Sequence, residues 1–182
     1  KELTVKPKSA VNYGKEPDSF RVFLESQSKL YLPKFYGLQT LGEPEQIKYK
    51  DGVDINLEFT GDLRSKQLEV QEVALKQYEN TGGGILQLPT GFGKTVLALS
   101  LIAKLGKKTM VVVNREFLMN QWIDRINKFL PDARVGKIQQ KYVDIDDKDI
   151  VIAMLQSLSM RSYNRGAFDS MQHIIVDEVH HI

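Results

Sequence analysis

The chain has 182 residues, 42% of them hydrophobic, with 25 Lys and Arg against 23 Asp and Glu for a formal charge of +2. That is enough apolar material for one packed domain with a small appendage and excludes wholesale disorder; the near balance of charge means that any anion-binding surface has to be local. The absence of cysteine removes disulfides, thiolate zinc sites and a thiol nucleophile, and fits a reducing, intracellular setting. No apolar run reaches the ~18–20 residues of a membrane span and no signal-peptide pattern opens the chain, so no membrane association is expected.

Residues 1–61 read as a small β-rich N-terminal region. Phe20–Leu24 and Lys29–Leu32 are strand candidates around a Ser/Gln turn, and Ile55-Asn56-Leu57-Glu58-Phe59 alternates apolar and polar as a half-buried strand does. Lys29, Tyr31, Lys34, Phe35 and Tyr36 interleave basic and aromatic residues, a pattern shared by nucleic-acid surfaces and by half-exposed strands.

From residue 62 the period changes. Leu63, Gln67, Val70, Ala74 and Tyr78 fall at helical spacings, with Leu68, Val73 and Leu75 widening the apolar face, and Asn80 to Gly83 end that helix. Gly84–Leu88 is a short apolar strand. Lys94–Leu105 is a helix stopped by Gly106, Thr109–Val113 a buried strand, and Phe117–Leu130 an amphipathic helix stopped by Pro131. Arg134–Ile138 and Asp149–Met154 are strands, Leu155–Arg161 a short helix, and His173–Val176 a last strand. Alternating strands and helices, with near-continuous apolar strands, give an α/β fold: a parallel sheet covered by helices on both faces.

Two segments carry chemistry. Leu88-Pro89-Thr90-Gly91-Phe92-Gly93-Lys94-Thr95 joins an apolar run to a helix. Backbone N–H groups at a helix N-terminus attract phosphate oxygens, glycines allow the close backbone approach, Lys94 adds a full charge and Thr95 a hydroxyl for Mg²⁺. The general phosphate-loop pattern begins with Gly six residues before the Lys; Leu88 stands there, which argues against a small-molecule kinase and leaves Gly91 as the inner glycine. The second segment, Ile174-Ile175-Val176-Asp177-Glu178-Val179-His180-His181, sets two carboxylates at the end of an apolar strand. In an open α/β sheet that end faces the ligand, so Asp177 can reach the Mg²⁺ and Glu178 can polarise a water. Without cysteine, His180 and His181 make a poor zinc site.

These residues resemble motifs I and II of superfamily 2 helicases in the DExH variant, and residues 62–182 are identified with that family's RecA-like ATP-binding domain. The branch most resembled includes type III restriction-enzyme translocating subunits, the helicase subunit of the transcription and repair factor, and helicases of large DNA viruses. The resemblance implies ATP and Mg²⁺ as cofactors, held by Gln67, Thr90, Gly91, Phe92, Gly93, Lys94, Thr95 and Asp177, with Glu178, Lys94 and Asp177 catalytic. Leu63-Arg64-Ser65-Lys66-Gln67 is similar to the element whose Gln reads the adenine edge, with Lys66 where an aromatic often stands. Asn114-Arg115-Glu116 resembles the start of motif Ia, implying that Arg115 meets a nucleic-acid phosphate, although it could equally pair with Glu116. Gln156-Ser157-Leu158 resembles motif Ib, where Gln156 and Ser157 contact nucleic acid or cap a helix. Trp122 reads as core, and His180 as a coupler to a neighbouring domain.

The resemblance further implies a nucleic-acid partner, DNA favoured over RNA, and a second RecA-like domain supplying arginines across the nucleotide. Ile182 closely follows the last strand, so the sequence reads as a fragment truncated after motif II, slow or inactive by itself. The alternative is a nucleic-acid-binding module with a vestigial ATP site, which the intact Lys94, Thr95, Asp177 and Glu178 oppose.

Overall fold

The computed structural model describes residues 3–6, 19–47 and 51–179. The chain divides into two compact units, Lys1–Lys48 and Tyr49–Ile182. Residues 51–61, grouped above with the N-terminal region, therefore belong with the sheet that follows. In the first unit, β1 (Thr4–Val5) pairs antiparallel with β2 (Phe20–Arg21), and β3 (Leu24–Glu25) with β4 (Leu30–Tyr31). The expected strand Phe20–Leu24 is broken by a bend at Val22-Phe23 into β2 and the start of β3, which pair in different sheets, whereas Lys29–Leu32 is present as the two-residue β4. The Ser26 hydroxyl donates to the Lys29 carbonyl at 3.3 Å and accepts the Lys29 N–H at 3.1 Å, closing the second hairpin. Helix α1 (Lys34–Leu41), entered through Pro33 with φ −54°, was not legible as a helix because its residues follow no clear apolar stripe.

The second unit contains α2 (Ser65–Thr81), α3 (Lys94–Leu105), β5 (Thr109–Val113), α4 (Glu116–Phe129), β6 (Val135–Gln139), β7 (Tyr142–Val143), β8 (Ile150–Met154), α5 (Leu155–Ser159) and β9 (His173–Val176). Its five-stranded sheet runs β7-β6-β8-β5-β9, parallel throughout except for the antiparallel β7.

Strand alternation splits the core between the two faces. Val111 and Val113 of β5 and Ile150 and Ile152 of β8 face Leu99 and Ile102 of α3 and Met119, Trp122 and Ile126 of α4. Met110, Val112, Val151 and Ala153 point the other way, onto Ile138, Ile145, α5 and the segment holding Tyr163, Phe168 and Met171. All five residues of β5 are buried, as expected for a central parallel strand.

Three expectations are corrected. Ile55–Phe59 alternates in burial as anticipated, with Leu57 at 9% exposure, but it forms no ladder; its backbone makes single contacts such as Ile55 N–H to the Gly106 carbonyl at 2.9 Å. Gly84–Leu88 likewise is not a strand: it pairs with none of the described strands, and Ile85 is 83% exposed. In α2 the buried positions are Gln67 and Gln71, while Leu68 and Val73 are exposed, so that helix turns a partly polar face inward. The Gln71 amide donates to the Ser100 hydroxyl at 2.7 Å, which in turn donates to the Leu97 carbonyl at 2.8 Å, satisfying the buried polar groups.

Two titratable groups are locked into this frame. Burial pushes the Asp149 carboxyl up, but hydrogen bonds from the Arg134 side chain and backbone, with the Arg134 and Lys108 charges, bring it below its ordinary value. His173, on β9 beside the Thr109 hydroxyl at 3.3 Å and edge-on to the Tyr78 ring, is held neutral by burial, its pKa lowered to about 4. The unfolded imidazole takes a proton near pH ~6.5. Between those values the unfolded chain binds more protons, so this contribution is complete above pH ~6.5 and is lost as pH falls toward 4. The melting temperature is expected to drop between pH 7 and pH 5 in the parent chain and to drop less in His173→Gln; equal drops by differential scanning calorimetry would refute the assignment.

Candidate functional site

Parallel pairing sets the geometry of the site. The ladder brings Val113 opposite Met154 and Val112 opposite Val176, so the residues that follow, Asn114-Arg115, Leu155-Gln156-Ser157 and Asp177-Glu178, leave the sheet at one edge. The Gly-rich loop reaches that same edge by helix geometry. Helix α3 ends at Gly106, a left-handed cap with φ 60°, and only Lys107 and Lys108 separate it from β5. The helix thus runs back along β5, and its twelve residues, ~18 Å at 1.5 Å each, match the ~17 Å of a five-residue strand. That length carries its N-terminus, with Lys94 and Thr95, back toward the level where β5 ends.

Gly91 has φ +77° and Gly93 φ +87°, the left-handed region that strains any residue with a Cβ. A Cβ on Gly91 would meet nothing within 4 Å, leaving room for a ligand, whereas one on Gly93 would lie 2.6 Å from Gln67 Nε2. Gln67, only 3% exposed, is braced on the loop. Its Nε2 donates to the Phe92 carbonyl at 2.9 Å, and its Oε1 accepts the Arg64 N–H at 2.9 Å in the manner of a capping box. The remaining contacts, Arg64 Nε to Oε1 at 3.4 Å and Nε2 to the Gly93 carbonyl at 3.5 Å, are long and weak. The Arg64 guanidinium also donates to the Phe92 carbonyl and sits 5.8 Å from the centre of the Phe92 ring. Arg64 is a member of the site that sequence reasoning left without a role; its place three residues before Gln67 was the signal.

At the end of β9, the Asp177 N–H donates to the Val112 carbonyl at 3.0 Å, which continues the ladder by one residue and fixes the backbone. Asp177 Oδ1 accepts the Glu178 N–H at 3.0 Å, and Oδ2 accepts the Trp122 indole N–H at 2.8 Å. Glu178 itself has φ +52°, a conformation that costs a non-glycine residue about 1–2 kcal/mol. Trp122 is core, as read from the sequence, at 2% exposure; its hydrogen bond to Asp177 left no sequence signal, because the partners are 55 residues apart.

Next along the edge, Arg115 stands exposed at the start of α4, and among the described residues it forms no ion pair; Glu116 instead accepts the Gln139 amide at 3.0 Å. The Gln156 amide donates to the Asn114 carbonyl at 3.0 Å, tying two turns together. Asn114 Oδ1 is buried without a hydrogen-bond partner among the described residues. Ser157 is only 8% exposed, and its hydroxyl accepts the Gln140 N–H at 2.8 Å; the hydroxyl faces inward, contrary to the expectation of a side chain open to nucleic acid. His180 lies outside the described residues.

The donor set suits a nucleotide with a divalent cation. Gly91 leaves open space at the head of a twelve-residue helix, Lys94 has no ion-pair partner among the described residues, and the Thr95 hydroxyl and Asp177 carboxylate are hard oxygen donors of the kind Mg²⁺ takes, with phosphates and water completing its shell. Among the described residues, no group of three or more His, Cys, Asp or Glu is placed to hold a metal ion.

A parallel sheet with this glycine loop and an Asp-Glu pair at its carboxyl edge is the ATP-binding domain of a superfamily 2 helicase. Comparison with known proteins agrees: a family model described as type III restriction enzyme, res subunit, matches residues 60–182, and the chain belongs to that family. It is 36% identical, over its whole length, to a provisionally named ATP-dependent RNA helicase of Acanthamoeba polyphaga mimivirus, of which it covers 36%. It is 33% identical to a provisionally named helicase of invertebrate iridescent virus 6, over 69% of this chain and 29% of that one. The chain thus spans about a third of the length of these relatives. The Sulfolobus solfataricus SWI2/SNF2 ATPase core, solved in complex with dsDNA, shares the fold, with a TM-score of 0.56 at 18% identity over 71% of this chain and 28% of that one.

The Gly93 geometry has a direct consequence. Gly93→Ala is expected to destabilise the chain by about 1–2 kcal/mol through φ alone, and further through contact with Gln67. In the Gln67→Ala background the loss should shrink to the φ contribution; urea denaturation of the four chains reads the coupling, and strictly additive losses would refute the contact.

Proposed function

We propose that this domain binds Mg-ATP at the Gly91–Thr95 loop and hydrolyses it as part of a nucleic-acid-dependent motor that moves on, or unwinds, DNA in preference to RNA. What supports the reading is the register that brings Asp177 and Glu178 out where β5 ends, together with the helix length that carries Lys94 and the glycine loop back toward that edge. ATP with its Mg²⁺ would supply the γ-phosphate that is cleaved.

Each residue has a definite task in that reading. The Thr90–Lys94 backbone N–H groups cradle phosphate oxygens, and Lys94 offsets their charge. The Thr95 hydroxyl and the Asp177 carboxylate hold the cation. Glu178 orients a water and accepts its proton. Gln67 reads the adenine edge by exchanging its two long contacts for base hydrogen bonds while the 2.9 Å brace to the Phe92 carbonyl is kept. Arg115, the first-turn N–H groups of α4 and the Gln156 turn take backbone phosphates of the nucleic acid, which carry no base information. His180 couples the site to a second RecA-like domain, whose arginines would contribute ~10³–10⁵ in rate; the 182-residue chain by itself is expected to bind nucleotide and turn it over slowly.

Saturating Mg-ATP at 100 times its dissociation constant stabilises a folded chain by ~2.7 kcal/mol, a melting shift of roughly 5–11 °C for this size. That shift is expected in the parent chain and absent in Lys94→Ala; an equal shift in both would overturn the assignment of the loop. For the nucleic-acid surface, Arg115→Ala is expected to lower affinity for duplex DNA and to reduce the slope of log affinity against log salt by about 1. An unchanged slope removes Arg115 from the interface, and tighter binding of the parent chain to duplex RNA than to DNA would overturn the DNA preference.

A further inference from the structure

We propose that Trp122 is a positioning residue for the cation-binding carboxylate: its indole N–H sets the orientation of Asp177 and ties it to helix α4. The inference rests on the reading of Asp177 as a cation ligand and gives a role to Trp122, which the sequence places only in the core.

The indole N–H is a donor with no acceptor capacity, and a buried one needs a partner. Trp122 could have met this need with a backbone carbonyl or water. It instead donates to Asp177 Oδ2 at 2.8 Å. The ring cannot turn to follow the carboxylate, because it is 2% exposed and embedded with Val111, Val113, Met119, Ile126 and Leu130. On the other side, Asp177 Oδ1 accepts the Glu178 N–H at 3.0 Å. Each oxygen is therefore held by one donor, and the carboxylate cannot rotate without breaking both bonds. A carboxylate offers about four lone-pair positions, so one remains on each oxygen for a cation or its waters. The pinning lowers the conformational freedom that cation binding would otherwise have to remove, which is the general role of groups that orient metal ligands; their loss typically costs about 10–100-fold in metal affinity.

The bond also crosses the domain. Trp122 lies on α4 seven residues after Arg115, ~10 Å along the helix axis. Any displacement of the start of α4 moves the anchor of Asp177, and with it the cation site.

Affinity for ADP, measured by calorimetry in EDTA and in saturating Mg²⁺ for the parent chain, Trp122→Phe, Asp177→Asn and the double variant, tests the proposal. The ratio of the two affinities is the metal's contribution. Asp177→Asn is expected to abolish most of that ratio. Trp122→Phe is expected to reduce it about 10-fold while leaving the affinity in EDTA unchanged, and the double variant to lose no more than Asp177→Asn alone. A purely structural role for Trp122 would lower both affinities together and leave the ratio intact, which overturns the proposal. A parental ratio in Trp122→Phe with the ratio lost in Asp177→Asn likewise overturns it and leaves the reading of Asp177 standing. A parental ratio in Asp177→Asn overturns that reading, and the proposal with it. Trp122 is the only tryptophan of the chain, so the parent chain supplies a readout independent of whether the variant folds. Its fluorescence is expected to change when Mg²⁺ is added to the ADP complex, and not in Asp177→Asn. Metal binding with no fluorescence change overturns the proposal.

Discussion

The ladder β8-β5-β9 is the constraint on which the rest depends. β5 lies between two parallel neighbours and is buried along its whole length. A strand so placed favours apolar side chains on both faces, admits Thr109 with its hydroxyl donating to the Lys107 carbonyl, and must pair all its backbone groups, since an unpaired buried N–H or C=O carries a penalty comparable to a lost hydrogen bond. That requirement fixes register, and register fixes which residues emerge together: Asn114, Leu155 and Asp177 follow strand ends that the ladder holds level. The buried strand has no chemistry of its own; its effect is to bring three sequence-distant turns to one edge.

The parts of the fold that were legible are those in which local pattern and tertiary environment agree. The bounds of α3, β5 and β9 were read as the structure has them, because glycine caps and uninterrupted β-branched runs are both local signals and burial signals. Apolar pattern by itself reports a tendency to be buried and leaves the ladder unspecified. Ile55–Phe59 obeys its alternation through side-chain packing alone, with Leu57 in the core; Gly84–Leu88 has the composition of a buried strand, and Ile85 is nonetheless 83% exposed. The antiparallel β7 was missed for the opposite reason, since Tyr142–Val143 is a two-residue edge pairing with Ile138 and Gln139 and no pattern can accumulate over that length. In the site, the glycine loop and the Asp-Glu pair were legible because motif residues sit within a few positions of one another. The Arg64 and Gln67 brace on Phe92 was half legible, and the Trp122–Asp177 bond was not, because long-range hydrogen bonds leave no period.

The two halves of the site are held by different means. Gln67 and Arg64 secure the glycine loop through a single carbonyl, that of Phe92, from a helix whose buried face is partly polar. Such an attachment is directional and exchangeable, since the amide keeps long contacts that better partners can replace. Asp177 is secured by the ladder through its backbone and by Trp122 and Glu178 through its carboxylate. Three attachments leave one orientation. On the proposed roles, a loop that admits and releases a nucleotide and a carboxylate that keeps its aim are served by correspondingly loose and tight arrangements.

Backbone strain follows the same division. Gly91, Gly93 and Glu178 all take positive φ, and they sit where the loop and the acidic pair approach the open edge. At the glycines the conformation costs little. At Glu178 it costs about 1–2 kcal/mol, which persists only where surrounding structure over-determines it. On the Asp177 side of that torsion the structure is held firmly: the Asp177 N–H is bonded to β5, and its side chain is bonded to Trp122 and back to the Glu178 N–H. These bonds set the peptide plane that joins Asp177 to Glu178, and the positive φ of Glu178 turns the chain out of the strand direction immediately beyond it. On the proposed roles, the carboxylate that takes the cation and the peptide plane that leads into the residue directing water share one set of bonds, to which Trp122 contributes the donor from helix α4.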